Sequence, residues 1–306
     1  MHSWRYRLVI LIVSLAAPSA HLHAQTPSGL NGTASSEAKR KVALHFEATV
    51  GDDPLTCGTS YDGIGVTRSS ITIADFRFYV SNVRLIRDDG TDRPVALDAD
   101  GLWQQDDVGL LDFEDGTTSC ANGTPEVRHV VDGTVATGRY TGVRFVVGVP
   151  FEKNHREPTL QPSPLNLTRM FWNWNAGYKF LRIDLKSTGQ PQGWMIHLGS
   201  TGCTPDEGPT RVPVSCRAPN EVAVTLPMFD VDRDVVRFDL RALLAEANVD
   251  INDADTAVGC MSGPTDADCA PIFRRLGLPF GDIGVGRQAV FTVRRGAAES
   301  AVGERR

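Results

Sequence analysis

From Val42 onward the chain alternates apolar and polar residues in short runs. Val42, Leu44 and Phe46 stand in one phase, and Ala43, His45 and Glu47 in the other. That period of two is the pattern of a strand with one buried face. The segment 71–86 reads the same way, with Phe76, Phe78 and Val80 against Arg77, Tyr79 and Ser81. Further strand-like runs cover 127–131, 142–149, 178–185, 195–198, 222–227, 235–238 and 289–293. Turn dipeptides such as Asp89-Gly90, Asp115-Gly116, Asn122-Gly123 and Asp132-Gly133 separate several of them. The pattern predicts a helix only at 240–247. Many short strands with frequent turns predict an all-β fold, a mostly antiparallel sandwich or barrel with long loops and one or two short helices. No internal repeat is visible.

The ends read differently. Residues 1–24 have Arg5 and Arg7, an apolar run from Leu8 to Ala17, and Leu22-His23-Ala24 before Gln25. This is the layout of an export signal peptide, whose apolar run is far short of the roughly 20 residues that span a bilayer. No later run reaches transmembrane length. Residues 25–41 are expected to be a flexible leader, 42–295 a single β domain, and 296–306 a polar tail. The formal charge of −6 becomes −8 once Arg5 and Arg7 are removed with the signal. An acidic chain without a basic stretch argues against nucleic-acid partners.

All six cysteines (Cys57, Cys120, Cys203, Cys216, Cys260 and Cys269) follow the signal, so disulfides are expected. Cys203 with Cys216 and Cys260 with Cys269 suggest local loops, which would leave Cys57 with Cys120. Spacing alone does not choose among the possible pairings. No Cys-x-x-Cys-His occurs, so the chain carries no c-type haem of its own.

Candidate chemistry gathers between Met170 and Leu198, where Trp172, Trp174, Trp194, Met170, Met195 and His197 fall together. On a strand Met170, Trp172 and Trp174 share a face, as do Met195 and His197. Aromatic residues in such spacing more often fill a core, and a methionine more often packs than ligates. Yet soft thioether and imidazole donors beside electron-rich rings also suit a cuprous ion. Four histidines follow the signal. His155 lies in a loop with Pro150, Pro158, Pro162 and Pro164, and His197 precedes Gly199-Ser200-Thr201-Gly202; these two are the leading ligand candidates. His45 is a further candidate, and His129 has no distinguishing context. Asp112, Glu114 and Asp115 could serve a hydrolase as paired carboxylates, but before Gly116 they read as a solvated turn. The acidic loop 249–270 lacks EF-hand spacing, which leaves calcium a secondary expectation. Nucleotide-binding, zinc-protease and serine-hydrolase motifs are absent. The residues thus favour a binding protein over an enzyme. One alternative is a metal-free glycan or ligand binder using Trp172, Trp174 and Trp194 as a stacking platform.

Several segments together resemble one family. Asp75-Phe-Arg-Phe-Tyr-Val-Ser-Asn-Val-Arg-Leu85, Gly148-Val-Pro-Phe151 with Asn154-His155, Ser163-Pro-Leu-Asn166, Trp172-Asn-Trp174 with Gly177-Tyr-Lys-Phe180, and His197-Leu-Gly-Ser-Thr-Gly-Cys203 are similar to the MbnP-like proteins. These are also called metallo-mystery pair four-cysteine motif proteins, and the likeness runs from about Val42 to Phe291. The resemblance implies a periplasmic Cu(I)-binding protein in copper homeostasis, paired with a dihaem c-type MauG-like partner of the MbnH, cytochrome c peroxidase-like type. That partner oxidises a tryptophan of the MbnP-like protein to kynurenine. On this reading His155, His197, His45 and Met195 are metal-ligand candidates, and Trp172 and Trp174 are candidates for modification. Asn154, Asp75 and Tyr178 are candidates to orient the imidazoles. The motif cysteines are Cys57, Cys120, Cys203 and Cys216, with Cys260 and Cys269 an added structural pair.

Overall fold

The alternating run at 42–50 becomes β1 (Lys39–Val50), with Val42, Leu44 and Phe46 buried and His45 exposed on the opposite face. A computed structural model describes residues 37–173, 175–208 and 211–296. The expected signal peptide, most of the leader and nearly all of the polar tail lie outside these residues. After β1 come β2 (Ser69–Arg87), β3 (Val108–Asp112), β4 (Val130–Ala136) and β5 (Tyr140–Val147). Next are β6 (Leu181–Ser187), β7 (Trp194–Leu198), β8 (Thr201–Pro205) and β9 (Pro213–Ala218). Then follow β10 (Val222–Pro227), β11 (Val235–Asp239) and β12 (Phe291–Arg294).

One sheet has the order β12-β11-β1-β4, extended by Ala96–Leu97. The second runs β10-β5-β2-β6-β7, with Gly259–Cys260 at its edge and β3 also paired to β2. Pairing is antiparallel except between β1 and β11 and between β7 and Gly259–Cys260. The inner faces meet through Phe46, Phe78, Phe145, Phe238 and Phe291, all at most 4% exposed. This is a β-sandwich, as the alternation predicts.

β2 is the strand that builds the site. Opposite β6, Asp184 pairs with Asp75 but Leu185 with Ile73, so Ala74 is an extra residue. Opposite β5 a second irregularity falls near Asn82, whose φ is +48°. The buried set therefore changes phase twice: Ile71 and Ile73, then Phe76, Phe78 and Val80, then Val83 and Leu85. Bulges re-aim side chains in this way. Between them Asp75, Arg77 and Tyr79 point to the outer face of the second sheet, yet all three are buried.

The cover comes from the segment after β5. It holds α1 (Phe151–Asn154) and 3-10 turns at Pro158–Leu160 and Thr168–Met170. Val149, Leu165, Met170, Tyr178 and Phe180 pack with Tyr79, Val108 and Leu110 into a second, smaller core. The Tyr79 hydroxyl donates to the Pro164 carbonyl at 3.0 Å, and the Tyr178 hydroxyl to that of Leu165. Met170 is thus fully buried in a helical turn, and does not share a strand face with Trp172.

Sequence and structure part at a few other places. α2 (Leu240–Leu244) is shorter than the expected helix; Asp239 caps it by accepting from the amides of Arg241 and Ala242. α3 (Cys269–Leu276), unforeseen, buries Ile272, Phe273 and Leu276 and ends at Gly277 with φ +76°. The disulfides are Cys57–Cys120, Cys203–Cys216 and Cys260–Cys269, the pairing that the local loops suggest.

Candidate metal centre

His197 lies on β7, where Leu198 and Ile196 face the sandwich core and His197 and Met195 face outward. The cover segment buries the imidazole to 6% exposure, while Met195 stays half-buried. Its Nε2 is 2.6 Å from Asp184 Oδ1 on the neighbouring strand β6. A carboxylate only accepts, so the imidazole donates Nε2–H and carries its lone pair on Nδ1. Burial raises the Asp184 carboxyl, but the bonds from His197 and Arg182 outweigh this and hold it at about 2. Burial lowers the pKa of His197, overcoming the attraction of Asp184. The pair is therefore a neutral imidazole bonded to a carboxylate, with Nδ1 available as a donor.

Behind this pair runs a row of half-buried and buried charges. Arg182 donates to Asp184 Oδ2 from Nε at 3.0 Å, and its Nε also lies 3.2 Å from Asp75 Oδ2. Asp75 in turn holds Arg77 through two bonds, one of 2.8 Å from Nε. Arg77 reaches towards Glu114 at 3.9 Å. Asp112 and Glu114 are 2% and 0% exposed, so the solvated turn expected there is instead the buried end of this row. The loop that ends at Cys120 and Gly123 packs against the Glu114 carboxylate, a contact that local spacing does not reveal. Charged residues alternating with Leu181, Ile183 and Leu185 read as a solvated face, which is why Asp184 escapes notice in the sequence.

Trp172, in the short strand Phe171–Asn173 paired with Gly177–Tyr178, sets its ring centroid 6.4 Å from that of His197. The indole rests on the backbone of Gly199, where a Cβ would meet Cζ3 at 2.6 Å. It is half-buried. Asn173 Oδ1 accepts the amides of Asn175 and Ala176 and closes the turn. Trp174 lies outside the described residues. Trp194 is fully buried, which removes it from any stacking platform.

His155 caps the C-terminus of α1 and is 5% exposed. Its neighbour Asn154 is buried and doubly fixed: Oδ1 accepts from Tyr178 N–H at 2.8 Å, and Nδ2 donates to Ser200 Oγ at 3.3 Å. Gly177, with φ +80°, presses so closely that a Cβ would sit 2.3 Å from Asn154 Oδ1. Asn154 Nδ2 also lies 3.3 Å from His155 Nε2, and the Phe151 ring stands edge-on at 5.0 Å. On its other side Nε2 is 3.5 Å from Cys216 Sγ.

Among the described residues, the one set of three His, Cys, Asp or Glu donors lying within 4.8 Å of one another is His155, Cys203 and Cys216. Both sulfurs are tied in a disulfide, so as it stands this is no thiolate site. His155 and His197 do not share a compact three-donor set; Asn154 ties the His155 loop to Ser200, which follows His197 in the chain. His45 stands on the other sheet, in a cleft of about 630 Å³ lined by Lys41, Asp98, Asp100, Gln104 and Arg128. In the acidic loop, Asp268 accepts the amide of Asp253 and Asp266 that of Asp268, so these carboxylates are occupied with backbone capping. Among the described residues no three carboxylates bring their oxygens within 4.8 Å of one another.

Fold and site together define a disulfide-stapled β-sandwich that holds a buried, carboxylate-oriented histidine beside a rim indole. The MbnP family profile matches residues 39–262, and the chain belongs to that family. MbnP from Methylosinus trichosporium is similar in structure, with a TM-score of 0.75 over 85% of this chain and 100% of its own, at 29% identity. No protein of curated function matches in sequence.

Proposed function

We propose that the chain is an exported copper-binding protein of copper homeostasis, and that it is itself the substrate of tryptophan oxidation by a dihaem MauG-like partner. The observation that carries this reading is Trp172 beside His197, with the other nitrogen of that imidazole fixed by Asp184. A ligating histidine is commonly held by a carboxylate in this manner. The residues fit Cu(I): His197 is a neutral imidazole with Nδ1 as its donor, His155 offers a second imidazole, and Met195 offers a thioether from the face of His197. Bound copper would supply a soft Lewis-acid centre. The half-exposed indole is an electron-rich group that a high-valent haem on another protein could oxidise. Export to the periplasm is supported by three disulfides, and no helix among the described residues is long and apolar enough to cross a membrane. The role is binding and presentation, with no catalytic step assigned to this chain.

Co-production with and without the dihaem partner tests the reading. Kynurenine at Trp172 is expected to add about 4 Da to the intact mass, and peptide mapping assigns it to Trp172 or Trp174. Metal analysis is expected to find copper, and His197→Ala to lose Cu(I) affinity. Full Cu(I) affinity in that variant, with no mass change on co-production, rules the reading out. His155→Ala shows whether one ion uses both imidazoles.

A further inference from the structure

The Cys203–Cys216 disulfide differs in setting from the other two. Cys260 and Cys269 are fully buried, and in the Cys57–Cys120 pair Cys120 is fully buried while Cys57 is part-exposed. Cys203 and Cys216 are both part-exposed, on a hairpin that forms its own two-stranded sheet from β8 and β9. They face each other across that ladder with Cα atoms 3.8 Å apart. His155 Nε2 reaches to 3.5 Å from Cys216 Sγ. Because Asn154 Oδ1 accepts from the Tyr178 amide, its Nδ2 is the atom turned towards Nε2. Nε2 is thus the ring nitrogen placed beside the disulfide.

We propose that this disulfide is selectively reducible, and that opening it creates a second soft-metal site in which His155 Nε2, Cys203 Sγ and Cys216 Sγ bind Cu(I). Only the choice of metal rests on the copper reading above; the reducibility stands apart from it. The reductant is a dithiol. One of its thiolates attacks Cys203 Sγ, the S–S bond breaks, and the electron pair leaves on Cys216 Sγ. The second thiol then displaces Cys203 from the mixed disulfide. Two electrons and two protons pass to the protein, and the reductant departs as its own disulfide. Closed, the sulfurs are neutral and poor donors. Open, they are soft anionic ligands on directly opposed residues, and with one imidazole they suit low-coordinate Cu(I) better than any hard ion.

The test uses the folded mature protein in a graded dithiothreitol series, with alkylation and mass mapping of thiols. Cys203 and Cys216 are expected to label at reductant levels that leave the other four cysteines unlabelled. Competition with a chromophoric Cu(I) chelator is then expected to show affinity at least about 100-fold higher after reduction. His155→Ala should diminish the gain, and the double variant Cys203→Ser with Cys216→Ser should abolish it. Should His155→Ala not fold, X-ray absorption of the reduced copper form is read for one nitrogen and two sulfur neighbours. Equal labelling of all three disulfides, or equal affinity before and after reduction, overturns the proposal and leaves the histidine–tryptophan reading intact. Copper binding seen only after reduction upholds the proposal and overturns that reading.

Discussion

His197 and Asp184 are diagonal neighbours on adjacent strands, joined by an Nε2–Oδ1 contact of 2.6 Å. The carboxylate thereby decides which ring nitrogen is left to act. An amide in its place could offer either an acceptor or a donor to Nε2, so the ring would lose its single tautomer. Asp184→Asn is expected to fold and to bind Cu(I) about 10- to 100-fold more weakly. Nitrogen-15 chemical shifts of the metal-free imidazole should move from one tautomer to a mixture. Unchanged affinity and shifts would mean that Asp184 serves only to balance Arg182.

Gly199 sets where the indole lies. Its limit is space: a methyl group there meets Trp172 Cζ3 and the Tyr178 carbonyl oxygen, each at 2.6 Å. Backbone cannot yield as a side-chain tip can, so the indole must move. Gly199→Ala is expected to lower stability by about 1–3 kcal/mol and to abolish oxidation of Trp172 on co-production with the partner. Thermal unfolding and intact mass read the two effects separately. Normal modification in a destabilised variant would detach the indole's seat from its chemistry.

The sandwich was largely legible because period-two alternation in 42–50 and 76–80 is dictated by one buried face, which local sequence records. The site was legible only in part. His155, His197 and Trp172 stand out by residue type. Asp184, Arg182, Asp112 and Glu114 do not, because their burial comes from a separate segment folding over the sheet and from two bulges in β2. A strand pattern cannot show that its polar face will be covered. The Cys203–Cys216 disulfide is a local loop that spacing suggests, but His155 is distant from it in sequence, and spacing carries no trace of their proximity.

The shared core makes its own prediction. Phe78 is fully buried and lies within 6.3 Å, centroid to centroid, of Phe46, Phe113, Phe238 and Phe291. Removing its ring leaves a cavity that rings from both sheets cannot refill together. Phe78→Ala is expected to cost about 3–5 kcal/mol in denaturant unfolding, whereas Trp172→Phe at the rim should cost under about 1 kcal/mol. Similar costs would argue that the rim indole is structural.

Asp112 gives the fold a pH dependence with a definite sign. Burial raises its carboxyl to about 8; Arg77 opposes this and Glu114 adds to it. The unfolded chain titrates near 3.9, so between about pH 4 and 8 the folded state keeps a proton that the unfolded state releases. The stability due to this group is therefore complete below about pH 4 and is lost as pH rises through 8. His197 acts in the opposite sense. Burial lowers its pKa, so below about 6.5 the unfolded chain takes up the proton first and stability is lost as the pH decreases. The two contributions overlap near pH 6 and partly cancel in the wild type. Subtracting Asp112→Asn from wild type removes the histidine, and the difference in unfolding free energy is expected to fall from pH 5 to 8 by up to about 1.4 kcal/mol per unit. A difference independent of pH would show that Arg77 keeps the carboxyl ionised inside the fold, leaving the buried row of charges one proton short of this account.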